Sequence, residues 1–181
     1  MMTLKTTLSA LSLAGAALLS QTASAADISN PASAITFDVD GAAFFGQLFT
    51  GHQAGDTFAD KYTFSLPGLT NLTADVFSYS NNPANGLDIS SLDLYTAGGT
   101  LVTHGMQIST GQTEQWNLAS NGLTAQSYYV QISGSVVSNA AGKYIASTTV
   151  TPVPEPETYG MMLGGLALLG VVARRRRAKQ S

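Results

Sequence analysis

The sequence predicts an all-β body, an antiparallel β-sandwich or jelly roll, preceded by a signal-peptide helix and followed by a short C-terminal apolar helix. Three observations lead there. Phe58, Asp60, Tyr62, Phe64 and Leu66 alternate with Ala59, Lys61, Thr63 and Ser65, the period of two that places alternate side chains on opposite faces of a strand. Turn-forming clusters punctuate the middle of the chain at the short intervals, roughly 8 to 12 residues, of sandwich proteins. No stretch of that middle sustains a helical period over three turns. The chain has 181 residues, 44% of them hydrophobic and only 10% charged, so it can fill one ordinary core and is no charge-swollen disordered segment.

Residues 1–25 read as a secretory signal. Lys5 gives the positive start, an apolar run follows over 8–19, and Ala23-Ser24-Ala25 offers small side chains to a signal peptidase, with cleavage expected before Ala26. The body is then expected over 26–151. The expected strands, in order, are 35–39, 44–50, 58–66, 72–79, 91–95, 101–108, 114–118, 128–132 and 143–146. Asn81-Asn82-Pro83-Ala84-Asn85-Gly86, Ala97-Gly98-Gly99 and Ser120-Asn121-Gly122 are expected as turns. With no cysteine in an exported chain, packing alone must hold this body together.

The tail, 152–181, has three parts. Pro152-Val153-Pro154-Glu155-Pro156-Glu157 is expected to be stiff and extended, because each proline fixes its own φ and restricts the residue before it. An uncharged segment over 159–173 follows, about 22 Å long as a helix against about 30 Å of hydrocarbon. Arg174, Arg175, Arg176 and Arg177, with Lys179, make a basic stop over 174–179 of the kind that stays on the cytoplasmic side of a membrane. The short, glycine-interrupted segment predicts a temporary tether.

Those residues resemble the PEP-CTERM sorting domain of Gram-negative bacteria, also known as the ice-binding protein C-terminal domain. Pro154, Glu155 and Pro156 match its recognition triplet, and the order of motif, apolar segment and arginines matches as well. The resemblance implies sorting by exosortase, a membrane transpeptidase-like enzyme, in a cell that makes exopolysaccharide and biofilm. In the body, Phe58-Ala59-Asp60-Lys61-Tyr62 is similar to the signature of the FxDxF family of PEP-CTERM proteins, with Tyr62 in place of the second Phe. Leu92-Asp93-Leu94-Tyr95, Gly99-Thr100-Leu101-Val102 and Tyr128-Tyr129-Val130-Gln131-Ile132-Ser133-Gly134 also resemble the bacterial pre-peptidase C-terminal domain, a small β-sandwich. Neither family implies a catalytic set.

Charge excludes one partner class. Between residues 26 and 153, Lys61 and Lys143 stand against nine acids, a net charge of −7 that repels nucleic acid. Nothing identifies a catalytic group: the chain has no thiol, no G-x-S-x-G and no H-E-x-x-H, and His52 and His104 read as loop and strand-end residues. Glu114 is the only glutamate of the body. Asp56 and Asp60 flank Phe58, Asp88 and Asp93 flank an expected strand start, and Asp38 and Asp40 share a strand face. No D-x-[DN]-x-[DN]-G loop is present, so no metal is assigned, and calcium stays open only at Asp56 and Asp60. Asp60, on the aromatic face, must either be hydrogen-bonded or hold an ion. Trp116 is read as core in preference to a sugar platform. Three function classes remain: a non-enzymatic surface or matrix protein, a polysaccharide-binding module with or without calcium, and a small secreted hydrolase. Ice binding would need regular Thr ladders, and only Ser147-Thr148-Thr149 comes near one.

Overall fold

The computed structural model describes residues 24–154 and 156–178. The expected signal segment up to Ala23 therefore lies outside the described residues, as do Glu155 and Lys179. Among the described residues the strands are β1 (Ser33–Ala34), β2 (Ala42–Phe49), β3 (Thr57–Ser65), β4 (Thr70–Tyr79), β5 (Leu87–Thr96), β6 (Leu101–His104), β7 (Met106–Ser109), β8 (Thr113–Leu123), β9 (Ser127–Val136) and β10 (Gly142–Pro152). Helix α1 (Pro156–Ala178) follows. The strands form two five-stranded sheets, ordered β1-β3-β9-β5-β6 and β2-β10-β4-β8-β7. All pairings are antiparallel except that of β1 with β3.

The core lies between the two sheets, and the period-two pattern of β3 explains one wall of it. Phe58, Asp60, Tyr62 and Phe64 point inward and are buried, Leu66 beyond the strand end joins them, and Lys61 is exposed. Facing strands supply matching rings. Phe49 of β2 stacks on Phe58 with centroids 4.6 Å apart, and Phe45 meets Tyr62 at 4.2 Å. Tyr144 of β10 lies 5.9 Å from Phe58. Leu72, Val76, Ile89, Leu92, Leu94, Leu118, Val130 and Ile132 fill the space between, all essentially fully buried.

Five expectations are corrected. The strand expected over 35–39 is absent. Ile35 and Phe37 only pack against the core, and Asp38 stops the extended run by accepting hydrogen bonds from the Asp40 and Ala42 amides. Asp38 and Asp40 accordingly sit in a turn. The single strand expected over 101–108 is two strands in different sheets, β6 and β7, with the chain crossing the sandwich edge at Gly105. A side chain there would strike the Leu92 carbonyl oxygen, 2.6 Å from the position a Cβ would take.

Ser120-Asn121-Gly122 is not a turn but part of β8. The β4–β8 register slips between Thr70 and Leu72, Gly122 takes φ +68°, and its amide is held by Asn71 Oδ1 at 3.0 Å. The turn-forming residues built a β-bulge instead. Finally, the extended motif ends early. Helix α1 starts at Pro156, and it runs through the arginines to Ala178. Among the described residues no helix is long and apolar enough to cross a membrane, which corrects the expectation of a transmembrane helix. The apolar stretch is short, and Gly160, Gly164, Gly165 and Gly170 interrupt it before the arginines begin.

Candidate functional site

The tail leaves the body from the inside of a sheet. Strand β10 is hydrogen-bonded on one side to β2, over Gly142–Thr149, and on the other to β4, over Tyr144–Pro152. The last rung is Pro152 opposite Thr70, and the Val153 amide still donates to the Leu69 carbonyl at 2.9 Å. Pro154 follows, exposed and outside any strand or helix. Pro156 then opens α1, where the missing N–H is harmless and the fixed φ suits the first helical turn. Glu157 in that first turn complements the helix dipole. Pro154 thus stands at the short crossing between the end of β10 and the start of α1. An open groove lined by Phe37, Val39, Leu66, Pro67, Leu69 and Pro152 lies beside the crossing. Arg175 is exposed.

At the other end of the body, Ala26, the first residue after the expected cleavage, is tied to the fold. Its amide donates to Asp56 Oδ1 at 2.9 Å, and its carbonyl accepts from Thr57. Asp56 Oδ2 accepts from the Gln53 amide at 2.8 Å. These backbone bonds, that from Ala26 first and that from Gln53 next, hold the Asp56 carboxyl below its ordinary value.

Asp60 is buried, 1% exposed, and its two oxygens are used differently. Oδ1 accepts from the backbone amide of Asn30 at 2.7 Å and from its side-chain amide at 3.2 Å. Oδ2 accepts from the Tyr144 hydroxyl at 2.6 Å. The Tyr144 proton is therefore committed to Asp60, so Tyr62, 2.7 Å away, must donate to the Tyr144 oxygen. Burial, followed by these bonds, pushes the Tyr144 phenol far above its ordinary value, and burial also raises that of Tyr62. Asp60 is thus hydrogen-bonded on both oxygens.

The remaining candidates are scattered. Asp88 and Asp93 do not flank a strand start; both lie within β5. Asp93 is buried and meets His104 Nδ1 at 2.7 Å, while the imidazole is largely exposed. His52 sits in a loop, its ring in a T-shaped arrangement with that of Phe49 at 6.0 Å between centroids. Glu114 is buried, with Oε1 accepting from Thr110 Oγ1 and the Gly111 amide, and it shares no cluster with another acid. Trp116 is partly buried against the core, and its indole N–H donates to the Ile89 carbonyl at 3.0 Å across the sandwich. Among the described residues no three His, Asp or Glu side chains converge. The sequence reading missed Asn30 and Tyr144 as partners of Asp60. Alternation through Lys143, Tyr144 and Ile145 marks Tyr144 as inward-facing, but nothing local indicates which carboxylate it meets.

Comparison with known proteins agrees with the tail. Residues 152–177 match the model of the PEP-CTERM protein-sorting motif. No curated protein sequence matches the chain. Among solved structures, the chain is similar to the pre-peptidase C-terminal domain of collagenase from Bacillus anthracis. That match has 18% identity, covers 67% of this chain and 95% of that one, and has a TM-score of 0.40. It is also similar to Aeromonas hydrophila PliG, a periplasmic lysozyme inhibitor of g-type lysozyme, at 14% identity, covering 70% of this chain and 100% of that one, with a TM-score of 0.43.

Proposed function

We propose that the chain is an exported, non-enzymatic surface or extracellular-matrix protein of an exopolysaccharide-producing Gram-negative bacterium, sorted by exosortase through its C-terminal tail. The observation that carries this reading is the three-part tail, matched over 152–177 and joined directly to an interior strand of a folded body. Signal peptidase removes residues 1–25 on export. The apolar helix, closed by its arginines, then tethers the chain to the inner membrane for a time. Processing at the Pro154-Glu155-Pro156 motif passes the body to the cell surface or the surrounding matrix, where exopolysaccharide is its neighbour.

The non-enzymatic part draws support from the body's ionisable groups. Asp56 and Asp60 accept backbone and hydroxyl donors on both oxygens, and Asp93 is engaged with His104. Donor hydrogens already point at the oxygens a calcium ion would use, so we assign no resident ion to Asp56 or Asp60. Replacing Pro154, Glu155 and Pro156 together by Ala tests the sorting claim. The variant should accumulate as a full-length species in the inner-membrane fraction while its body still folds. Mass spectrometry of wild-type protein recovered from the cell surface should find the arginine-containing end removed. An intact C-terminus through Ser181 on that surface protein would refute the reading.

A further inference from the structure

One face of the body is unlike the rest of its surface. On the outer side of the β2-β10-β4-β8-β7 sheet, Phe44 is 80% exposed, Ile145 60%, Leu48 57% and Tyr79 56%, with Phe77 and Met106 also open to solvent. Registration sorts these side chains into rows across the sheet. Phe44, Ser147, Asp75, Asn117 and Met106 form the first. Gly46, Ile145, Phe77 and Gln115 form the second. Leu48 and Lys143 pair in the third, where Tyr79 pairs with Thr113. Shallow apolar depressions lie on either side of the Ile145–Phe77 pair, one toward Phe44 and one toward Lys143 and Tyr79.

The charges on this face have a pattern. A body of net charge −7 carries here one acid, Asp75, and one base, Lys143. They stand on opposite sides of the Ile145–Phe77 row, each about 7 Å from it along the strands, and on adjacent strands about 4.8 Å apart. A two-fold axis along that row reverses the strand direction and leaves the order of strands unchanged. Each Ile145 and Phe77 then faces its own counterpart, and Phe44 faces Leu48 of the other copy. Asp75 comes opposite Tyr79 and one strand spacing from Lys143 of that copy. Self-complementarity of this kind is what a two-fold interface requires. The sheet face measures roughly 24 by 27 Å, so pairing buries on the order of 1,300 Å² in total, within the range of specific interfaces. The geometry points to a second copy of this chain as the occupant of the outer face of the β2-β10-β4-β8-β7 sheet, in an antiparallel face-to-face dimer.

The chain has no cysteine, so single thiols report on the pairing cleanly. Ile145→Cys and Lys61→Cys, the latter on the outer face of the opposite sheet, are made in the full chain and purified in detergent. Each is treated with a short bis-maleimide at micromolar protein. Ile145→Cys should be converted mostly to a dimer and Lys61→Cys should remain monomeric. In sedimentation, Asp75→Lys and Lys143→Asp should each weaken association about tenfold, and the double exchange should recover most of it. Trp116 fluorescence verifies that every variant is folded. Equal cross-linking of the two thiols would overturn the proposal, as would a double exchange no better than its parents. So would a chain that stays monomeric while Phe44 and Phe77 retain it on an insoluble polysaccharide, which would make a glycan the occupant.

Discussion

Removing one oxygen atom at Tyr144 isolates the energetics of the buried network. In Tyr144→Phe the ring and its packing against Phe49 and Phe58 are kept, and only the hydroxyl is lost. Among the described residues that hydroxyl is the sole donor to Asp60 Oδ2, on a side chain 1% exposed, so the variant leaves a buried carboxylate oxygen unpaired. A hydrogen bond to a charged group contributes about 1.5–3 kcal/mol, and an orphaned buried acceptor adds its desolvation, so the expected loss is about 3 kcal/mol. Tyr62→Phe makes the contrast. It removes a neutral hydroxyl pair and leaves the Tyr144–Asp60 bond in place, for about 1 kcal/mol. Urea unfolding followed by the fluorescence of Trp116, the only tryptophan, measures both. A Tyr144→Phe loss no greater than that of Tyr62→Phe would refute the argument that Asp60 depends on this donor.

The same network predicts the alkaline limit. Both phenols are raised above the unfolded value near 10, so their contribution is complete below that pH and falls as pH rises past it. Tyr144→Phe should flatten the alkaline limb of the stability curve by about one proton's worth of slope, roughly 1.4 kcal/mol per pH unit. Phe64→Ala should cost about 3–5 kcal/mol, because its ring is enclosed by Phe37 and Tyr128, whereas Lys61→Ala, an exposed side chain over the Tyr129 ring, should cost under about 1. At the acid end the sign is reversed. Asp56, held below its ordinary value, stabilises the fold above the unfolded carboxyl range and loses that contribution as pH falls through its folded value. A mature chain beginning at Ala26 would place an α-ammonium where the amide donates to Asp56. Asp56→Asn should then destabilise that chain more at pH 7 than at about pH 9.5, where the amine is neutral. Melting curves at the two pH values provide the check.

What was legible in the sequence follows the range of the interactions. The Phe58-to-Leu66 alternation is a local property, so it yields both the strand and its buried face. The tail is legible for the same reason: its prolines, apolar run and arginines act in sequence order. The partner of Asp60 is not, because Tyr144 is 84 residues away and Asn30 is 30 away, and a buried carboxylate carries no mark of its donors. The split at Gly105 is hidden by the continuous β-forming character of its flanks and appears only once Leu92 and Asn117 are packed beside it. Ser120-Asn121-Gly122 reads as a turn for an instructive reason. The left-handed glycine that closes a turn equally makes a bulge, and the neighbouring β4 decides between them.

The attachment of the tail to β10 has a mechanical consequence. Any pull on the C-terminus enters the body along a strand bonded on both sides, to β2 and to β4. The inter-strand hydrogen bonds lie across the direction of such a pull, so they are loaded together in shear and cannot be peeled one after another as at a free edge. Drag from flow or from a moving matrix would therefore be spread over both flanking strands and the aromatic packing beneath Tyr144. A protein held by its tail is in this way held by its middle.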